Sequence, residues 1–274
     1  MQRIAIIYNP FSEASISHSA LLAAWLRERG IDIWRGISQE CRECPQILED
    51  ADLMIAMGGD GTVLRAARLA FPSGLPVLPV ALGHLSFMAE IGPAELYEGI
   101  ETLLNGGGWH DERALIDATL WREGEHIADF VALNEVVISR SEISRVINVE
   151  VAIDGSLLTT YLADGVIVAT ATGSTAYALA AGGPIIDPRS RALALVPVAA
   201  HLTNVPSMVL HEGAVVTITM RSRNNASIAI DGRGNLPLLE GDEVMVRRSA
   251  KVCTFLRLRH SSQFYTQLAA KLKR

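Results

Sequence analysis

The stretch IAMGGDGTVLRAA, residues 55–67, joins an apolar run to a helix-competent segment through three glycines and one aspartate. The run DLMIAM at 52–57 reads as a buried strand, and a helix is expected to start near Thr62. In an open α/β sheet, ligands bind beyond the carboxyl ends of the strands, which is where this order of elements places Gly58, Gly59, Asp60 and Gly61. Glycines there let backbone N–H groups approach an anion, and the helix start aims its dipole at the same place. No G-x-x-x-x-G-K-[ST] pattern occurs, so the lysine of a P-loop is absent. Asp60 then needs a divalent cation beside it, or faces a hydroxyl whose proton it can accept. Arg65, one turn into the helix, supplies positive charge for a phosphate. Read alone, the loop fits equally well a tight turn with an aspartate cap.

Outward from this loop, the first hundred residues alternate short apolar runs with helical patterns. RIAIIY, IDIW and VLPVAL read as further strands; Leu21, Leu22, Trp25 and Leu26 share a helix face ahead of a C-cap at Gly30, and AELYEGIETLL is a second helix. That alternation predicts an α/β domain with a parallel sheet over residues 1–112. After NGGGWHDER the pattern changes to short strand-like runs such as LIDATLW, NVEVAIDG, GVIVAT, VVTITM, SIAIDG and EVMVRR. Asp154-Gly155 and Asp231-Gly232 are hairpin dipeptides. A β-rich, sandwich-like domain over 113–255 follows, and the closing helix, within 256–274, is expected to pack back on the first domain through Phe264, Leu268 and Leu272.

Composition narrows the function. The formal charge of −6, with Lys and Arg dispersed, argues against a nucleic-acid partner. The longest apolar candidate for a membrane span, ALALVPVAAHL, is short and broken by Pro197. With a start that lacks a secretory signature, this predicts a cytoplasmic protein without a membrane partner. Cys41 and Cys44 form one C-x-x-C, which could be redox-active or half a zinc site; Cys253 is the only other thiol, and two ordinary thiols is the preferred reading, so no metal ligand is assigned.

A second glycine-rich constellation runs from Ala163 to Ile185, ADGVIVATATGSTAYALAAGGPI. Its small residues let a flat ring lie against backbone, and Thr172, Ser174 and Thr175 offer hydroxyls. In LNEVVIS the polar pair Asn134-Glu135 interrupts an apolar strand. GGDGT at 58–62, NE at 134–135 and TGSTAYALAAGGP at 172–184, in that order, resemble the NAD kinase family, and the likeness extends from Asn9-Pro10 to the closing KL. GGDGT alone is shared with diacylglycerol and sphingosine kinases; the long third segment is far more specific.

The resemblance implies transfer of the γ-phosphate of ATP, or of polyphosphate, to the 2′-hydroxyl of the adenosine ribose of NAD, giving NADP. A divalent cation, Mg²⁺ by preference, would accompany the donor. It implies Asp60 as general base, with Gly58, Gly59, Gly61, Thr62 and Arg65 around the phosphates. Asn134 and Glu135 would bind the adenosine part, Asp164 the nicotinamide end, and Thr175, Ala176, Tyr177, Ala178, Leu179 and Ala180 would line the dinucleotide pocket. Arg145 and Arg233 fall where the family has further binding residues. A homo-oligomer, dimer or tetramer, is expected, with the nicotinamide end completed by a neighbouring subunit. Three positions depart from the family pattern: Ser86 in GHLSF stands where glycine is usual, so a positive φ there would be strained, Leu162 replaces a basic residue and Arg233 a frequent glutamine. The competing readings are a lipid or sphingoid-base kinase, which would need an apolar cleft, and a non-catalytic NAD(P) sensor, which gains little from a carboxylate beside phosphate.

Overall fold

The computed structural model describes residues 1–83, 86–142, 145–201 and 205–273, and for Asn235 the backbone alone. The chain divides into two compact units, Met1–Glu112 with Cys253–Arg274, and Arg113–Val252.

In the first unit β1 (Arg3–Tyr8), α1 (Glu13–Arg27), β2 (Asp32–Gly36), α2 (Ser38–Glu43), β3 (Leu53–Gly58), α3 (Asp60–Ala70), β4 (Val77–Ala81) and α4 (Leu96–Leu104) follow in order. Their strands form a parallel array ordered β2-β1-β3-β4. All six residues of β3 are buried, as expected for a central strand covered on both faces. Leu22, Ala23 and Leu26 of α1 and Leu96, Ile100 and Leu103 of α4 meet Ile4, Ile6, Ile55 and Leu78 in one core. Parallel strands open the sheet's carboxyl edge at Gly58, which is what positions the candidate site.

The second unit carries the antiparallel strands. These are β5 (Trp109–Arg122), which enters from the first unit, β6 (Glu125–Ala132), β7 (Glu135–Arg140), β8 (Ile147–Ile153), β9 (Ser156–Ala163) and β10 (Gly165–Thr170). After the four-residue α5 (Tyr177–Ala180) come β11 (Leu193–Val198), β12 (Met208–Leu210), β13 (Val215–Met220), β14 (Ala226–Ile230), β15 (Arg233–Leu238) and β16 (Glu243–Arg257). One sheet is ordered β12-β11-β10-β7-β14-β15; in the other, β16 pairs β13, which pairs β8, which pairs β9. Val149 and Val216 from one sheet and Val166 and Leu195 from the other share a core, the packing of a sandwich. Asp154-Gly155 and Asp231-Gly232 turn their hairpins with both residues at positive φ, 50° and 77° in the first, 49° and 68° in the second. Glu123-Gly124 does the same between β5 and β6, at 52° and 82°.

The end of β16 returns to the first unit, where Phe255 pairs Val77 of β4, and α6 (Gln263–Leu272) closes the chain there. The run considered as a membrane segment is β11, with Pro197 beyond the reach of β12, whose pairing covers Leu193 to Leu195 only. No helix among the described residues is long and apolar enough to cross a membrane.

Candidate active site

In the first unit α3 begins at Asp60, with Gly59 as its N-cap, rather than near Thr62. Asp60 therefore occupies the first helical position, where the dipole favours a negative charge. The glycines around it have different reasons to be there. A Cβ on Gly58 would lie 2.6 Å from Thr62 Oγ1 and 3.3 Å from Asn9 Cβ, so Gly58 serves the packing of the turn. A Cβ on Gly59 would meet nothing within 4 Å, and one on Gly61 only Arg65 Nη1, at 3.7 Å. Open space thus lies over Gly59, while Gly61 faces the Arg65 guanidinium. Thr62, expected at the ligand, is buried instead, where its Oγ1 accepts from Arg65 Nη2 at 3.1 Å.

The Asp60 carboxylate is held by the segment just after residues 84 and 85, two positions of GHLSF that lie outside the described residues. Ser86 Oγ and Met88 N–H donate to Oδ1, the latter at 3.2 Å, and Phe87 N–H donates to Oδ2 at 3.0 Å. A carboxylate has about four acceptor positions, so one, on Oδ2, is left uncommitted by these bonds. Ser86 is not at positive φ, which removes the strain expected of it. Its hydroxyl instead replaces what glycine lacks, donating to Asp60 and accepting from Ala89 N–H at 3.0 Å.

In the second unit the polar pair sits at the mouth of β7. Asp231, in the β14–β15 turn, takes the N–H of Asn134 and Glu135 on Oδ1, at 2.7 and 3.2 Å, and that of Leu133 on Oδ2, at 3.1 Å. Gly173 packs so closely on this backbone that a Cβ would lie 2.0 Å from Asn134 O. Asn134 Oδ1 and Glu135 Oε2 are buried without a hydrogen-bond partner. Burial, and then the Asp231 charge, push the Glu135 carboxyl up to about 8, against a hydrogen bond from Tyr177 N–H. Unpaired buried polar atoms cost about 1–3 kcal/mol each, which a ligand donor to Asn134 Oδ1 and a ligand acceptor for the proton that Glu135 keeps would recover.

A family model described as ATP-NAD kinase N-terminal domain matches residues 38–108, and one described as ATP-NAD kinase C-terminal domain matches 133–258. The NAD kinase of Chloroflexus aurantiacus is 68% identical over 274 residues, 100% of this chain and 99% of its own. The chain belongs to the NAD kinase family. The NAD kinase of Dehalococcoides mccartyi is 38% identical over 273 residues, 99% of this chain and 96% of its own. A yeast NADH kinase complexed with NADH superposes with a TM-score of 0.86 at 22% identity, covering 98% of this chain and 88% of that one. An Archaeoglobus fulgidus NAD kinase in complex with ATP gives 0.79 at 20%, covering 99% of each. These two structures show that the fold is shared.

The remaining residues that the NAD kinase resemblance singles out are dispersed. Asp164 precedes β10 at the end opposite Glu135, because Gly165 pairs Ser139 while Ala169 pairs Glu135. The separation is about 17 Å at strand rise. Asp164 is ion-paired with Arg140, Nε to Oδ1 at 2.6 Å and Nη2 to Oδ2 at 3.1 Å, a partner that sequence reasoning missed. Arg145 is exposed, 3.7 Å from Glu142, and Arg233 starts β15 immediately after the Asp231 turn. Thr175, Ala176 and Tyr177 are accessible beside Glu135, as are Leu179 and Ala180, but Ala178 is turned fully into the core. The hydroxyls expected to meet ligand are spent locally: Ser174 donates to Ala171 O at 2.6 Å, Thr175 to Thr172 O at 3.2 Å, and Thr172 accepts from Arg113 at 3.3 Å. Cys41 is buried and its thiol pushed up to about 11 by that burial, and then by the Glu40 charge, which makes it a poor nucleophile.

Proposed function

We propose that the protein transfers the γ-phosphate of ATP to the 2′-hydroxyl of the adenosine ribose of NAD, with Asp60 as the general base. The bond from the 2′ oxygen to the γ-phosphorus forms, the bond from that phosphorus to the β–γ bridging oxygen breaks, and the hydroxyl proton goes to Asp60. The products are NADP and ADP. The observation that carries this reading is the Asp60 carboxylate itself, held by three donors yet with one position on Oδ2 left over, beside open space above Gly59. A base of this kind contributes about 10²–10⁴-fold, and the rest comes from positioning and charge. The start of α3 and Arg65 supply positive potential to the phosphates.

Asn134 and Glu135 recognise the adenosine part, their buried, unpaired Oδ1 and Oε2 completed by the dinucleotide. The accessible residues from Thr175 to Ala180 flank it and Asp164 serves the nicotinamide side, with Arg145 and Arg233 as further binding residues, Arg233 at the Asn134-Glu135 end of the sheet. No group of three or more His, Cys, Asp or Glu that could hold a metal ion occurs among the described residues. Mg²⁺, which the family resemblance implies, would enter as part of the Mg-ATP substrate, carried on phosphate oxygens as this ion prefers. Polyphosphate as a second donor, assembly as a homo-oligomer and a cytoplasmic setting belong to the same reading and rest on the family resemblance.

Incubation of the protein with Mg-ATP and either NAD or diacylglycerol tests the reading. NADP is expected from the first mixture and no phosphorylated lipid from the second; lipid phosphorylation without NADP overturns it.

A further inference from the structure

In the first unit, a cavity of about 310 Å³ lies beside the segment that holds Asp60. Gly83, Ser86 and Gly92 form part of its small-residue wall, and Arg259, Gln267 and Lys271 bring three donor side chains from the end of the chain. Gln267 and Lys271 are four residues apart on α6 and so share a face. Ser86, which lines the cavity, is also the hydroxyl that donates to Asp60, so the cavity reaches the candidate base through one side chain.

The charges in this cavity are unequally matched. Glu90 accepts from Leu258 and Arg259 N–H groups at 2.9 and 2.7 Å and from Arg257 Nη1 at 3.2 Å. Arg259 Nη2 donates to both carboxylate oxygens of Glu95, at 2.8 and 2.6 Å, and its Nη1 donates to Glu90 O. Lys271 stands apart from these pairs. Its ammonium lies 5.3 Å from the Phe87 ring centroid, and no hydrogen bond or ion pair to it is formed among the described residues. Burial lowers its pKa; the Asp60 charge raises it, and Arg257 and Arg259 lower it again. A half-buried ammonium with three donors and no direct counter-charge, opening on a cavity, is completed by an anion.

We propose that this cavity holds the anionic chain of the phosphoryl donor and that Lys271 is a donor-binding residue. The proposal rests on the phosphotransfer reading above and deepens it, because GGDGT supplies no lysine of its own. The recognised chemistry is a run of linked phosphates, which ATP and inorganic polyphosphate share. Lys271 would place that chain beside Asp60 and offset the repulsion between the carboxylate and the incoming phosphate oxygens.

Wild type, Lys271→Met and Lys271→Arg are compared in two measurements. The first is NADP formation with ATP and, in a separate arm, with polyphosphate, where the wild type shows which source is used. The second is equilibrium binding of inorganic tripolyphosphate by calorimetry, which does not depend on turnover. Lys271→Met keeps the apolar stem over Phe87 and is expected to lower both kcat/KM for the donor and tripolyphosphate affinity by about 10- to 100-fold, with the KM for NAD within about twofold. Lys271→Arg is expected to restore most of both. Tripolyphosphate affinity within about twofold of wild type in Lys271→Met overturns the proposal, whether or not turnover falls, because a lysine acting only through packing would leave that affinity unchanged. Equal losses in Lys271→Arg and Lys271→Met overturn it too. A wild type that binds tripolyphosphate but makes no NADP refutes the proposed reaction while leaving the anion site standing, so the two failures are distinguishable.

Discussion

The turn at Asp60 and the mouth of β7 are both polar, both glycine-flanked and both buried enough to matter, yet their acceptors are treated in opposite ways. Asp60 receives three hydrogen bonds from residues 86–88, so the protein itself fixes the carboxylate. Asn134 Oδ1 and Glu135 Oε2 receive none, although Asp231 fixes the backbone that carries them. A group that must take up a proton gains from being oriented before substrate arrives. A group that recognises substrate gains discrimination from being left incomplete, because only the right ligand recovers the cost of its burial.

The largest effect that would break this contrast is at Asp60. Asp60→Asn is expected to lower NADP turnover about 10²–10⁴-fold while changing the dissociation constant for NAD by less than about threefold. Turnover within about tenfold of wild type would remove the base from the mechanism. The amide has one acceptor oxygen for three donors, so a melting curve of the variant belongs in the same experiment, to separate loss of chemistry from loosening of residues 86–88.

Next in size is a pH effect confined to the other region. Glu135 has its carboxyl pushed up to about 8 by burial and by Asp231, whereas in the unfolded chain it titrates near 4.5. Between these values the folded protein keeps a proton that the unfolded chain releases, so the stability contributed below pH 4.5 is lost as pH rises towards 8. At about 1.4 kcal/mol per pH unit, the loss is on the order of 5 kcal/mol over that window. Glu135→Gln cannot ionise. Denaturant titrations of wild type and variant should therefore diverge from pH 5 to 8, with the variant the more stable at the upper end. Parallel curves would mean that Glu135 is solvated, and the recognition side of the contrast would fail.

Much of the fold was legible because central strands announce themselves. LMIAMG and GVIVAT are buried along their whole length and read directly as strands. Of the strands that the sequence reading passed over, β6, β9, β12 and β15 each pair with a single neighbour among the described residues, while the central β11 was masked by Pro197, which broke its apolar run. An edge strand is partly exposed and its alternation weak, as EHIADFVA shows, with its first seven residues exposed or half-buried. The motif loops were legible as well, but not the work of each residue in them. Asp231-Gly232 was readable as a turn from its residue types. That its carboxylate binds the backbone of 133–135 depends on β14 lying beside β7, a pairing set by residues some ninety positions apart. Arg140 on Asp164 and Ser86 on Asp60 were missed for the same reason.

The smallest expected effects separate two adjacent glycines that the motif treats alike. Gly58→Ala forces a Cβ against Thr62 Oγ1 at 2.6 Å and is expected to destabilise the fold by about 1–3 kcal/mol, read as a shift in denaturant midpoint. Gly59→Ala meets nothing within 4 Å, and its φ of −93° is open to any residue. Its only structural cost is a poorer N-cap, about 1 kcal/mol or less. If the space over Gly59 belongs to substrate, that methyl group still lowers kcat/KM by about tenfold, because it stands where phosphate or ribose must come close to backbone. A Gly59→Ala protein with wild-type kinetics would mean that the open space is not substrate's, and the Asp60 turn would then lose its claim to be the place where phosphoryl transfer occurs.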